Sequence, residues 1–247
     1  MARGLVPWLV FPFAALVAGH EEIIFLNSSK GTQLLRSASH AEPYWQLAPH
    51  FVTELPGMCG PTTAIMILNA LAAQGLPAAV SDMYSYRTTV YRYWESQNIW
   101  NGSAAACIQE QTTPWEGSIQ QVAGMLRCHG AAATVVKAAA TNPAAFRQVL
   151  VEAFSGNEIK FVGLNFDRPT LGQLGAGHHS PIAAYDEKSD RALVMDVARY
   201  KYPPFWATVN DLYAAMNASV SKEFFATPRG YLVASMPEIT EQPINII

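Results

Sequence analysis

The chain has 247 residues, of which 50% are hydrophobic and only 14% charged, with a formal net charge of -3. That balance excludes intrinsic disorder, which needs many charges and few apolar residues, and excludes periodic Gly- or Pro-rich architectures. It also argues against a nucleic-acid partner, since no basic excess is available to neutralise phosphates.

The first segment, residues 4–19 (GLVPWLVFPFAALVAG), carries no charge, follows Arg3 and precedes His20-Glu21-Glu22. A positive start, a short apolar run and small residues at its end describe a cleavable signal peptide over residues 1–19. The run is shorter than a membrane span and contains Pro7 and Pro12. The expectation is therefore an exported chain, periplasmic in a bacterium, with no membrane attachment after cleavage. Export makes Cys107 and Cys128 candidates for a disulfide; two free buried thiols are the equal alternative. One domain is expected over residues 22–236, followed by a loose tail over 237–247.

Residues 59–73 (CGPTTAIMILNALAA) predict a buried helix, with Pro61 in its first turn and Gly75 as its stop. Residues 117–129 and 142–154 predict two more helices, with cap signals at Ser118 and Asn142. Strands are expected at 160–165, 180–185, 191–197 and 230–235, with a polar turn at 186–190 between the middle two. Thr208 is positioned to cap a short helix in the segment VNDLYAAMNA. Helices first and antiparallel strands later describe an α+β domain.

Three residues stand out chemically. Cys59 lies at the start of a helix, where unpaired N–H groups and the helix dipole favour a thiolate. Gly60 beside it is expected to allow close approach of a substrate backbone. With the turn centred near residue 188, paired positions sum to about 376, so His178 falls opposite about 198. Asp196 then lies diagonally across on the same face. A nucleophile, a base and a carboxylate that orients the base are the parts of covalent acyl-transfer chemistry. His179 alternates in direction with His178 and is expected to be a satisfied polar residue. No spacing of ligand types suggests a metal site; Cys128 and His129 are adjacent rather than spaced.

The segments Phe51-Val52-Thr53, Met58-Cys59-Gly60 and Met66-Ile67-Leu68-Asn69-Ala70-Leu71 resemble the nucleophile region of phytochelatin synthases. Gly177-His178-His179-Ser180-Pro181-Ile182 resembles their histidine segment. Asp196-Val197-Ala198-Arg199-Tyr200-Lys201-Tyr202-Pro203-Pro204 resembles their aspartate run almost letter for letter. The likeness covers about residues 45–235.

The resemblance implies a papain-like fold, with the nucleophile helix packed on a C-terminal antiparallel sheet. It implies Cys59 as nucleophile, His178 as general acid and base, and Asp196 as its orienter. It places Asn165 at the γ-glutamyl group of glutathione and makes Arg199, Arg229 and Tyr202 candidate substrate contacts, with structural pairing the even alternative for each arginine. The implied reaction is cleavage of the Cys–Gly bond of glutathione through a γ-glutamylcysteinyl thioester, passed to water or to a second glutathione. No tightly bound cofactor is implied. Cadmium or zinc enters as a metal–glutathione thiolate co-substrate, and a homodimer is expected from the family alone.

Two departures bear on this. The family carries an oxyanion-donating Gln six residues before the nucleophile, where this chain has Thr53 followed by Glu54; a Glu54 carboxylate repels an oxyanion unless protonated, which leaves the Thr53 hydroxyl and the Cys59 N–H as the substitute donors. The sequence also shows no long Cys-rich stretch after the third motif, as plant members have, which tilts the expectation toward hydrolysis. A bacteriocin-leader-type peptidase, resembled by Cys59-Gly60-Pro61, and an inactive γ-glutamyl or metal-thiolate binder are the alternative readings.

Overall fold

A computed structural model describes residues 21–81, 83–218 and 228–238. The signal-peptide expectation for residues 1–19 and most of the tail lie outside the described residues. In chain order the elements are β1 (Ile24–Phe25), α1 (Ser29–Ser37), α2 (Glu42–Leu47), α3 (Cys59–Ala73), α4 (Ala105–Thr112), α5 (Ile119–Cys128), β2 (Ala132–Lys137), α6 (Pro143–Ser155), β3 (Phe161–Asp167), β4 (Gly177–Asp186), β5 (Arg191–Val194), β6 (Phe205–Thr208), α7 (Val209–Asn217) and β7 (Gly230–Ser235). Every strand pairing is antiparallel, in the order β1-β6-β5-β4-β3-β7-β2. The fold is thus α+β. The simple order of helices then strands does not hold, because β1 and β2 precede β3, while α6 and α7 interleave with the later strands.

Helix α3 explains the central layer. Residues Gly60–Leu71 are all buried, and a helix apolar on every side belongs inside a core. Its Ile65, Met66, Leu68 and Leu71 pack with α5 residues Val122 and Leu126 against Phe161, Met195 and Leu232 of the sheet and its margin. The opposite face of the sheet, carrying Val162, Leu164, Phe166 and Val194, is covered by Phe146 and Leu150 of α6 and by Leu212 and Met216 of α7. Helices therefore cover both faces.

The caps follow the sequence. Ser118 accepts from the Gln121 N–H, and the Gln121 side chain answers to complete a capping box on α5; Asn142 and Thr208 accept from Ala145 and Asp211 on α6 and α7. Cys107 and Cys128 form a disulfide that ties α4 to α5, which decides the open question about these thiols. Among the described residues no helix is long and apolar enough to cross a membrane.

The β4–β5 hairpin sets the site. Near the turn its paired positions sum to 377 (Asp186 with Arg191, Tyr185 with Ala192). A bulge between Ile182 and Ala184 removes one from that sum, so Ile182 pairs with Val194 and the Met195 N–H donates to the Pro181 carbonyl at 3.0 Å. The register reaching His178 is therefore the one that places Asp196 diagonally across from it.

Candidate active site

Cys59 is the first residue of α3. Its N-cap, Met58, supplies no side-chain cap; Pro61 has no N–H and the Thr62 N–H already donates to the Met58 carbonyl at 2.9 Å, so the first-turn amides left at the site are those of Cys59 and Gly60. The Gly60 N–H and, from the neighbouring strand, the His179 N–H both reach the Cys59 sulfur and favour its thiolate. Burial and the nearby Glu54 carboxylate act the other way and prevail. They push the thiol up to about 11. The helix terminus alone predicted a lowered pKa; desolvation reverses the sign, because a half-buried sulfur loses more from missing water than it gains from the dipole. At that value the resting sulfur is a thiol, and to act as a nucleophile it would have to give its proton to a base.

An imidazole is at hand. The Cys59 sulfur, a ring nitrogen of His178 and a carboxylate oxygen of Glu54 all lie within 4.8 Å of one another. His178 Nε2 is engaged with Asp196 Oδ1 at 2.9 Å, so Nδ1 is the nitrogen left with a free role. The His178 ring also meets Phe166 edge-on at 5.6 Å, which restrains its plane.

Asp196 is fully buried. Burial alone would raise its pKa, but hydrogen bonds from His178 and Arg168 outweigh it, and the net direction is down. Arg168 is the residue that motif reading missed. It is 3% exposed and grips Asp196 in a two-pronged pair, Nη1 to Oδ2 at 2.8 Å and Nη2 to Oδ1 at 2.9 Å. Gln173 accepts from its Nη1 at 2.7 Å, and the Tyr202 ring lies 5.1 Å from the guanidinium. A planar fork matched to a carboxylate keeps that carboxylate charged and fixed. No local signal marks it in the sequence, since its partner Asp196 lies 28 residues on.

The other candidates separate into two groups. Glu54 belongs to the centre: its backbone N–H donates to the Val197 carbonyl at 2.9 Å, and Tyr200 Oη donates to its Oε1 at 3.0 Å. Both contacts come from the segment that follows Asp196. Asn165 and His179 form a second layer, with Asn165 Nδ2 and His179 Nε2 3.0 Å apart and His179 Nε2 2.8 Å from the Gly117 carbonyl. His179 Nδ1 is buried without a partner. Burial lowers the His179 pKa to about 4, so it is neutral.

The remaining residues lie further out. Thr53 is exposed and lines a cavity of about 240 Å³ beside Met58, Pro61, Tyr93 and Trp100. Arg199 turns to Phe51, donating to its carbonyl at 3.1 Å with the ring 4.6 Å away. Arg229 pairs with Asp167 at 3.4 Å and donates to the Ala218 carbonyl. Tyr202 accepts from the Leu174 N–H and flanks Arg168. At Gly60 a Cβ would meet Val122 Cγ2 at 2.8 Å and Trp115 at 3.3 Å. Its missing side chain lets the start of α3 approach α5.

The chain matches the phytochelatin synthase family model over residues 17–231. It is 29% identical over 217 residues to glutathione gamma-glutamylcysteinyltransferase 1 of Lotus japonicus, covering 85% of this chain and 40% of that protein. It is 28% identical over 224 residues to the Arabidopsis thaliana enzyme numbered 1, covering 87% and 42%. With the Schizosaccharomyces pombe enzyme it shares 26% over 220 residues, covering 86% and 49%. The chain thus spans less than half the length of these relatives. With the match over most of its length, and with the three motif segments gathered at one place in the fold, this chain belongs to the phytochelatin synthase family.

Proposed function

We propose that this chain is a papain-like cysteine acyltransferase that cleaves the Cys–Gly bond of glutathione and passes the γ-glutamylcysteinyl group to water or to a second glutathione. The observation that carries the proposal is the close gathering of Cys59, His178 and Asp196 at a helix N-terminus. The names of the relatives supply the substrate.

In this reading His178 Nδ1 takes the Cys59 proton as the sulfur attacks the carbonyl carbon of the Cys–Gly bond. Asp196, kept ionised by Arg168, holds the other ring nitrogen and stabilises the imidazolium. The carbonyl oxygen becomes an oxyanion facing the N-terminus of α3, where the backbone N–H groups and the helix dipole offset its charge. His178 then returns the proton to the leaving glycine amine, and the γ-glutamylcysteinyl thioester remains on Cys59. Water restores free enzyme and releases γ-glutamylcysteine; the amine of a second glutathione extends the chain instead. Metal–glutathione thiolates fit the role of acceptor, so the metal arrives as part of a substrate.

Glu54 bears on the balance between fast and slow turnover. Its carboxylate sits where negative charge develops, and it disfavours both the thiolate and the oxyanion. The Cys107–Cys128 disulfide supports the proposal that the mature chain works outside the reducing cytoplasm.

The test is incubation of the protein with glutathione, with and without cadmium, followed by mass spectrometry of products, with Cys59→Ala as control. Free glycine with γ-glutamylcysteine or longer oligomers supports the proposal. Glutathione left intact by a folded wild-type protein refutes it.

A further inference from the structure

The three groups gathered at the centre are a thiol, an imidazole and a carboxylate, which are the three protein ligand types that bind zinc. Spacing in the sequence gives no hint of this, since Glu54 and Cys59 are close in the chain while His178 comes from a distant strand. Among the described residues no other set of three such side chains gathers in this way.

We infer that Glu54, Cys59 and His178 form a binding site for a free borderline or soft divalent cation, Zn²⁺ or Cd²⁺, directly on the nucleophile. The charge balance is favourable: one thiolate and one carboxylate neutralise a dication, so a half-buried site holds no net charge. Binding breaks the Cys59 S–H bond, forms a sulfur–metal bond and releases the proton to solvent. His178 binds through the lone pair of the nitrogen that Asp196 does not use, and a histidine anchored by a carboxylate on its other nitrogen is the usual arrangement around a protein-bound metal. Tyr200 anchors Glu54 in the same manner.

Ligand atoms around a tetrahedral zinc are separated by roughly 3.3 to 3.6 Å, from bond lengths of about 2.0 to 2.3 Å. The three atoms here, within 4.8 Å of one another, close to that separation by small side-chain rotations. The fourth position faces the substrate side and stays open to water or to an incoming thiolate. Soft thiolate with imidazole selects zinc and cadmium over magnesium or calcium.

The consequence rests on the proposed reaction. Excess glutathione thiolate competes with the tripod for the metal, whereas an uncomplexed ion occupies the nucleophile. Free metal then silences the enzyme, and excess glutathione relieves it by competition.

All three cysteines of the chain are accounted for, with Cys107 and Cys128 bonded to each other and Cys59 free. A thiolate-to-cadmium charge-transfer band in the ultraviolet therefore reports on Cys59 alone. The experiment titrates the full chain with cadmium chloride, and with zinc chloride as competitor, in the absence of glutathione. The expected result is a band saturating at one cadmium per chain, abolished in Cys59→Ser, with affinity lowered about tenfold or more in Glu54→Gln, since even outer partners of metal ligands are worth about 10- to 100-fold. In the unmutated protein the bound metal is also expected to block alkylation of Cys59. Absence of the band, or equal cadmium affinity in wild type and Glu54→Gln, overturns the inference. Because no glutathione is present, a protein that binds cadmium but leaves glutathione intact would sink only the proposed reaction, and a turning-over enzyme that shows no band would sink only the metal site.

Discussion

Replacing Glu54 by Gln is the perturbation whose outcome the structure fixes most tightly. The substitution keeps shape and keeps an acceptor for the Tyr200 hydroxyl, but removes a negative charge within 4.8 Å of the Cys59 sulfur. Two unit charges at that distance repel by about 3.5 kcal/mol at an effective dielectric of about 20, and by about 0.9 kcal/mol in bulk water. At about 1.36 kcal/mol per unit of pKa, the thiol is expected to fall from about 11 by roughly 0.6 to 2.5. The new amide also offers an N–H to the developing oxyanion. Losing one such donor costs on the order of 100- to 1000-fold in rate, so gaining one is expected to raise glycine release from glutathione by up to about the lower of these figures. The assay follows the rate of Cys59 alkylation by iodoacetamide against pH, read by intact mass, beside glycine release at fixed pH. An alkylation midpoint identical to that of the wild type would refute the electrostatic argument, whatever the turnover.

Arg168→Met leaves the buried Asp196 charge without its two-pronged arginine partner, and breaking such a pair costs about 3 to 5 kcal/mol. Denaturant unfolding checks the loss. Because the folded pKa of Asp196 is depressed, its contribution is present above the ordinary carboxylate range near pH 4 and is lost as pH falls through the lower folded value; the variant is expected to lose stability at a higher pH than wild type. His179 has the same sign by a different route: neutral in the fold down to about pH 4 but protonated in the unfolded chain below about 6.5, it makes stability fall by about 3 kcal/mol between those values. His50 and His129, also lowered by burial, add to that slope, and His179→Gln is expected to flatten it in pH-dependent unfolding curves. Reducing the Cys107–Cys128 bridge, which closes a loop 21 residues in separation, is expected to cost about 3 kcal/mol, seen as a fall in Tm with reductant.

What the sequence revealed was set by the range of the physics behind each signal. Helix α3 was legible because a run of apolar residues with a proline in its first turn and a glycine past its end is a local pattern. The pairing of His178 with Asp196 was legible because a hairpin is a local count; the bulge at Ile182/Ala184 is what made a turn centre of 188 serve for His178. Arg168 was not legible, since its role exists only when the turn after β3 folds it back onto Asp196. The upward shift of Cys59 was missed for the same reason: the helix terminus is visible in the sequence, whereas the burial and the Glu54 charge that outweigh it come from elsewhere in the fold. Strand β6 was passed over because four residues between a Pro-Pro pair and a helix cap are too few to show a period. Strand β2, along an edge with Thr134 and Lys137 exposed and the rest half-buried, mixes alanines with valines in no clear alternation.

The central claim is that Cys59 carries the γ-glutamylcysteinyl group as a thioester. Rapid acid quenching of the protein with glutathione, followed by intact and peptide mass spectrometry, tests it directly. The account predicts a γ-glutamylcysteinyl adduct on the peptide containing Cys59, formed together with free glycine and absent in Cys59→Ala. Glycine released with no adduct at Cys59, or released equally by Cys59→Ala, would contradict it.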